Sequence, residues 1–187
     1  MHDSLVVLHS ELGVIHGDIS ASNIIIDGER AMLIDFELCV RIGSKGAQGT
    51  EDFFSIAIKK CFESKLLSQD TSSQGPSSQG TSMHTNKRRD DFESLFLVTI
   101  FLMSRKLFPW APNQRDATLL SEDKFEKDCL ASIVEMRVRN SDKDLKKSLE
   151  MLKLWRRQLY DGYNFAKPET AIEIEEIKVL KELLIIK

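Results

Sequence analysis

Leu5, Leu8 and Leu12 recur at helical spacing and Gly13 follows as a helix-ending residue, so residues 4–12 are expected to form a short helix. Two apolar runs come next, Ile24-Ile25-Ile26 and Ala31-Met32-Leu33-Ile34. Asp27-Gly28 lies between them as a two-residue turn, because an Asp-Gly pair supplies the positive φ angles of a tight reversal. Further along, Asp90-Asp91 precedes Phe92, Leu95, Phe96, Val98, Ile100, Phe101, Leu102 and Met103. That stretch is apolar nearly all round, which predicts a buried central helix with an Asp near its amino end. Pro109 and Pro112 flank Trp110 and are expected to end it. Amphipathic helices follow at about 121 to 138, 143 to 160 and 169 to 185, the last from the spacing of Ile174, Ile177, Leu180 and Leu184. The pattern is that of an α+β chain, mainly α, with one small β-hairpin.

Two stretches break the pattern. Residues 43–50 are rich in Gly, Ser and Lys, and residues 68–89 are low in complexity, with Ser-Ser-Gln-Gly occurring twice. Such a composition buries too little apolar surface to offset its ordering entropy, so 68–89 is expected to be a disordered insertion within a single domain spanning 1–187. The duplication is too short for a repeat architecture. A hydrophobic fraction of 42% and 29% charged residues suit a soluble globular protein, and a net charge of -3 gives no global attraction to nucleic acid or anionic lipid. Cys39, Cys61 and Cys129 are widely spaced with no CxxC or Cys/His cluster, which argues against a disulfide framework or zinc site. Leu5-Val6-Val7-Leu8 is too short for a signal peptide or membrane span. These features predict an intracellular protein, in the cytoplasm or nucleus, without nucleic-acid or membrane partners.

The densest chemistry lies in and just after the first loop. His16-Gly17-Asp18 is followed by Asn23, and Asp35-Phe36 stands twelve residues after the Asn across the expected hairpin. Phosphoryl transfer calls for this set: one carboxylate to orient the attacking hydroxyl, and an Asn oxygen and a second carboxylate to hold the magnesium ions that bridge the phosphates. Asp18 is then the catalytic base, Asn23 and Asp35 bind Mg2+ and through it ATP, and His16 is structural. The plainer reading is that Asp18 and Asn23 cap turns and Asp35 ends a strand, the usual fate of any one such residue.

Beyond the loop, Gly49-Thr50-x-x-Phe53-x-Ser55-Ile56, Arg88-Arg89-Asp90-Asp91-Phe92-Glu93-Ser94-Leu95 and Leu107-Phe108-Pro109-Trp110 resemble the activation-segment end, central helix and following turn of the casein kinase group. Asp18-Ile19-Ser20, with Ser where most kinases have Lys, and Asp35-Phe36-Glu37, with an acid where most have Gly, are most similar to the fungal-type protein kinase family. The resemblance covers roughly residues 1 to 112. It implies a kinase C-terminal lobe with its hairpin at the catalytic loop, and a protein Ser/Thr kinase activity. It places Ser20 in the catalytic set and Thr50 beside Asp18 at the substrate hydroxyl. It makes Asp91 the residue that holds the catalytic-loop backbone from beneath; the alternatives are a loop Thr and a helix N-cap. Gly17 stands where many kinases carry an Arg that pairs with a phosphorylated activation loop, so that switch is not expected here. Glu37 near Asp35 either recruits metal or bends the segment away.

A kinase also needs a glycine-rich loop, a strand Lys on the phosphates and a helix Glu holding that Lys. Fifteen residues precede His16, no G-x-G-x-x-G occurs among them, and the first Lys is Lys45. The expectation is a C-terminal lobe with its N-terminal lobe absent, slow or inert when isolated. An apolar face around Leu5, Leu8, residues 24–26 and residues 32–34 is then left for a separate N-terminal lobe or another protein. Two other functions compete with a protein kinase acting on a protein substrate. One is a small-molecule phosphotransferase of the aminoglycoside or choline kinase kind, which shares His-Gly-Asp-x-x-x-x-Asn but not the Gly49-Thr50 and Asp90-to-Ser94 segments. The other is a catalytically inactive pseudokinase interaction module.

Overall fold

The computed structural model describes residues 2–28, 30–69, 83–111, 113–137 and 145–161. These fall into two compact units: the first contains Asp3–Ile25 and Met32–Leu95, the second Ile26–Ala31 and the described residues from Phe96 onward. The fold is mainly helical with two small two-stranded sheets. The expected helix at 169–185 lies outside the described residues.

In the first unit, helix α1 (His2–Val6) runs on into a π-helical turn over Val7–Glu11, closed by Leu12 N–H donating to Val7 O at 3.0 Å. A π turn adds one residue to the helical repeat, and this rearranges the expected apolar stripe. Leu5 and Leu8 are buried as that stripe requires, Leu12 is 63% exposed, and His9 is buried at 3%. Leu5 is buried and so leaves the expected apolar face, a correction to the sequence reading, whereas Leu8 lines an apolar pocket with Val7, Leu12, Val14 and Phe36; Val7, Leu12, Ile25 and Met32 are each exposed.

Strand β1 (Val14–Ile15) leads into the loop from His16 to Asn23, and β2 (Ile24–Asp27) and β3 (Arg30–Leu33) form the hairpin. Asp27 belongs to β2, and of the expected Asp-Gly turn pair Gly28 alone takes a positive φ, +57. Strand β4 (Val40–Arg41) pairs antiparallel with β1, Val14 opposite Arg41 and Ile15 opposite Val40. Helix α2 (Ile56–Gln69) has no counterpart in the sequence reading, since its residues show no sustained apolar stripe.

The boundary of the proposed insertion also shifts. Residues 70–82 lie outside the described residues, but 84–86 pair with 43–46, and helix α3 starts at Arg88. Hydrogen bonding supplies there the order that apolar burial could not.

Helix α3 (Arg88–Met103) passes from the first unit into the second between Leu95 and Phe96. Leu95, Phe96, Leu97, Val98 and Ile100 are each at most 1% exposed, too many for one stripe, so this helix is buried all round as expected. It ends at Met103, well before Pro109. Arg105 and Lys106 adopt positive φ and Lys106 N–H donates to Phe101 O at 2.8 Å, closing the helix with a left-handed reversal rather than with proline.

In the second unit, α4 (Arg115–Leu120) precedes a continuous helical run made of α5 (Glu122–Lys124), a π turn over Phe125–Leu130 and α6 (Ala131–Arg137). Helix α7 (Leu145–Tyr160) buries Leu152, Trp155, Arg156, Leu159 and Tyr160, a complete i, i+3, i+4, i+7, i+8 stripe. Its buried cation is satisfied: Arg156 donates to Leu119 O at 2.9 Å and to Leu120 O at 2.7 Å, capping the last carbonyls of α4. Phe96 packs its ring against Phe125, Trp155 and Tyr160 at the centre of this core. No helix among the described residues is long and apolar enough to cross a membrane.

Candidate active site

The loop from His16 to Asn23 is built on one buried carboxylate. Asp91, 2% exposed in the first turn of α3, accepts from His16 N at 2.7 Å and from His9 Nε2 at 2.8 Å through Oδ2, and from Gly17 N at 3.0 Å through Oδ1. The helix-capping role falls to its neighbour, since Asp90 Oδ2 accepts from Lys87 N at 2.8 Å, the third-residue half of a capping box. Asp91 thus grips the backbone of the loop at His16 and Gly17. His9, its third partner, stands four residues after Leu5 and so on the same helical face; it was missed because the sequence reading followed only the apolar positions of that stripe.

His16 is fully buried and both of its ring nitrogens are engaged. Nε2 meets Ile34 O at 3.1 Å, and Asp18 N–H donates to Nδ1 at 3.3 Å. A carbonyl only accepts and an amide N–H only donates, so the hydrogen sits on Nε2. The ring therefore ties the loop to the end of β3 and has no nitrogen left to move a substrate proton.

Asp18 is held by Thr50, as the resemblance implies, and by Asn23. Thr50 donates from N and from Oγ1 to Asp18 Oδ1, each at 2.7 Å, and Asn23 Nδ2 donates to Oδ2 at 2.9 Å and to the Asp18 carbonyl at 3.0 Å. Oδ1 has both lone-pair positions taken while Oδ2 keeps one open. Thr50 precedes the short 3-10 turn Glu51–Phe53 without capping it by its side chain; the hydroxyl serves Asp18 instead. Ser20, which the resemblance places in the catalytic set, bonds within the loop. It is 1% exposed and its hydroxyl pairs with Ser22 Oγ at 2.8 Å, within the loop rather than at the Asp18 carboxylate.

Two glycines make this approach possible. Gly17 (φ +78) lies where a Cβ would be 2.7 Å from Leu38 O, and Gly49 (φ +114) where a Cβ would be 2.4 Å from Gly17 O and 3.3 Å from Asp18 Oδ1. Gly49→Ala is expected to lower stability by about 2 kcal/mol, from the strained backbone alone and before any relief of the contact. A urea midpoint unchanged from the parent protein would show that 49–50 does not close on the loop as drawn.

Asp35 follows Ile34, whose N–H donates to Asn23 O at 3.0 Å, so the stretches carrying Asn23 and Asp35 are hydrogen-bonded side by side. Asp35 takes φ +63, a conformation that costs a non-glycine residue energy and recurs at functional sites. It is exposed, with one long contact at 3.5 Å from Glu37 N to Oδ1. Phe36 lays its ring 5.2 Å from that of His16. Cys39 lies farther along the segment, its thiol pushed up by burial and then by the negative charge of Asp91.

Asn23 spends its amide nitrogen on Asp18, which leaves its oxygen for a cation, and Asp35 offers a free carboxylate. These donors fit Mg2+, which binds through one or two protein oxygens and completes its shell with phosphate and water. No group of three or more His, Cys, Asp or Glu side chains among the described residues could hold a metal ion without such help.

No curated protein matches the chain. Residues 2–103, more than half of its length, match the family model described as fungal protein kinase, and that span contains Asp18, Asn23, Asp35, Thr50 and Asp91 together with the bonds between them. The chain belongs to the fungal protein kinase family.

Proposed function

We propose that this chain is the catalytic-loop lobe of a protein Ser/Thr kinase, transferring the γ-phosphoryl of ATP to a hydroxyl on a protein substrate. The observation that carries the reading is the Asp18 carboxylate, fixed by Thr50 on one oxygen and by Asn23 on the other, with a single lone-pair position open on Oδ2. A substrate hydroxyl seated there donates its proton toward Asp18 Oδ2 as its oxygen bonds to the γ-phosphorus. The bond from that phosphorus to the β–γ bridging oxygen breaks, and ADP leaves with the electron pair. Bound magnesium would screen the phosphate charge, held by Asn23 Oδ1 and the Asp35 carboxylate.

The Thr50 contact favours a protein substrate over a small molecule. Gly49-Thr50 belongs to the segment whose resemblance is to the peptide-binding activation segment, and here it closes on the proposed base. His16 and Asp91 hold the loop and touch no reacting atom.

The test is phosphate transfer from ATP to a mixed Ser/Thr protein substrate, with and without magnesium, by the chain alone and by the chain supplied with a kinase N-terminal lobe. Magnesium-dependent transfer to Ser or Thr in either form supports the reading. Transfer to small-molecule alcohols in its place, or silence in both forms, overturns it in favour of a small-molecule phosphotransferase or of a pseudokinase that only binds.

A further inference from the structure

We propose that residues 84–86 form an in-chain clasp that fixes the activation segment and so positions Thr50 against Asp18, doing without a phosphate what a phosphorylated loop paired with an Arg would do. Its role in catalysis rests on the kinase reading above; its geometry does not.

Residues 43–50 have the composition of a loop that cannot order itself, with three glycines and no large apolar side chain. The order comes from a second strand. Gly43 N donates to Asn86 O at 2.8 Å, Asn86 N to Ser44 O at 2.9 Å and Gly46 N to His84 O at 2.9 Å, with Lys45 and Thr85 bridged antiparallel. Asn86, 4% exposed, adds a side-chain bond from Nδ2 to Ser44 Oγ at 3.1 Å.

The clasp is anchored at its base. His84 Nε2 lies 2.8 Å from Asp90 Oδ2, with side chains 7% and 5% exposed, and Asp90 Oδ1 accepts from Ser55 Oγ at 2.6 Å. Asp90 therefore holds both the strand that restrains residues 43–46 and the far end of the segment at Ser55. Thr50 lies between those two fixed points, and a short span pinned at both ends has little freedom to leave Asp18. On the opposite side, Gly17 closes the alternative route. A side chain at that position meets Leu38 O, so the Arg that reads a loop phosphate in many kinases has no room there.

Amide hydrogen exchange on the full chain tests this without any turnover. In the parent protein the amides of Gly43, Gly46, Asn86 and Thr50 are expected to be protected. His84→Leu removes the anchor and should speed exchange at all four by at least about tenfold, the factor for losing one buried charge-assisted hydrogen bond. His84→Gln, which keeps an N–H donor near the Nε2 position, should restore much of the protection. Asn86→Ala should loosen Gly43 and Gly46 by a separate route, and the amide of Leu152 in α7 is the control for global unfolding. Unprotected Gly43 and Gly46 amides in the parent protein would overturn the clasp. So would a Thr50 amide that stays protected when they open, or a rise at Leu152 equal to the others in both His84→Leu and Asn86→Ala. Failure of the kinase reading would show instead as silent transfer assays with this exchange pattern intact.

Discussion

Replacing Asp91 with alanine is expected to lower the unfolding free energy by about 3–5 kcal/mol, the cost of breaking a buried, charge-assisted network from its acceptor side. The site is 2% exposed, and the carboxylate is the acceptor for three donors from two separate stretches of chain: His9 Nε2, His16 N and Gly17 N. Alanine leaves all three pointing into a space that solvent does not reach. Each buried donor without a partner forfeits roughly 1–3 kcal/mol, and two of them belong to the catalytic-loop backbone. Asp91→Asn keeps one acceptor oxygen but turns an amide N–H2 toward a donor, so it should fall between the parent and the alanine variant. The readout is the urea midpoint at unchanged slope. A loss below about 1 kcal/mol would mean that water takes over the carboxylate's bonds, and the account of Asp91 as the anchor of the loop would be wrong. A double-mutant cycle with His9→Leu should be strongly sub-additive, because the first substitution already removes the shared bond.

How much of this was legible in the sequence depended on whether the signal was local. The hairpin, the all-round apolar face of α3 and the α7 stripe follow from periodicities that the structure preserves. The site residues were legible as a set of spacings, because the hairpin between Asn23 and Asp35 folds two distant positions onto adjacent backbone. What escaped was decided by single insertions and by partners far along the chain. One extra residue in the π turn at Val7–Glu11 accompanies the exposure of Leu12, which a regular repeat would have placed with Leu5 and Leu8, and no average periodicity reports such a shift. His84 sits among residues whose composition reads as disordered, and its burial depends on Asp90 and on strand pairing with residues 43–46. Helix α3 stops at Met103 because Arg105 and Lys106 turn left-handed, a conformation neither residue type advertises.

Asp18→Ala should show the opposite balance from Asp91→Ala: a large loss of activity with little loss of stability. Asp18 is half-buried, so water can reach the Thr50 and Asn23 donors that alanine would release, and the urea midpoint should move by no more than about 1 kcal/mol equivalent. In whichever form of the protein transfers phosphate, kcat is expected to fall about 10²- to 10⁴-fold, the range for removing a positioned general base. KM for ATP should hold, since Asp18 is proposed to act on the substrate hydroxyl and not on the nucleotide. Asp35→Ala divides the effect differently. Its carboxylate is proposed to act through the cation, so activity should fall while the magnesium concentration needed for half-maximal rate rises. Retention of more than about a tenth of kcat by Asp18→Ala would remove Asp18 from the base role. An unshifted magnesium requirement in Asp35→Ala would remove Asp35 from the metal site. With both results, the left-handed backbone at Asp35 and the Thr50 closure on Asp18 would be features of a loop that is shaped for binding and carries no phosphoryl-transfer chemistry.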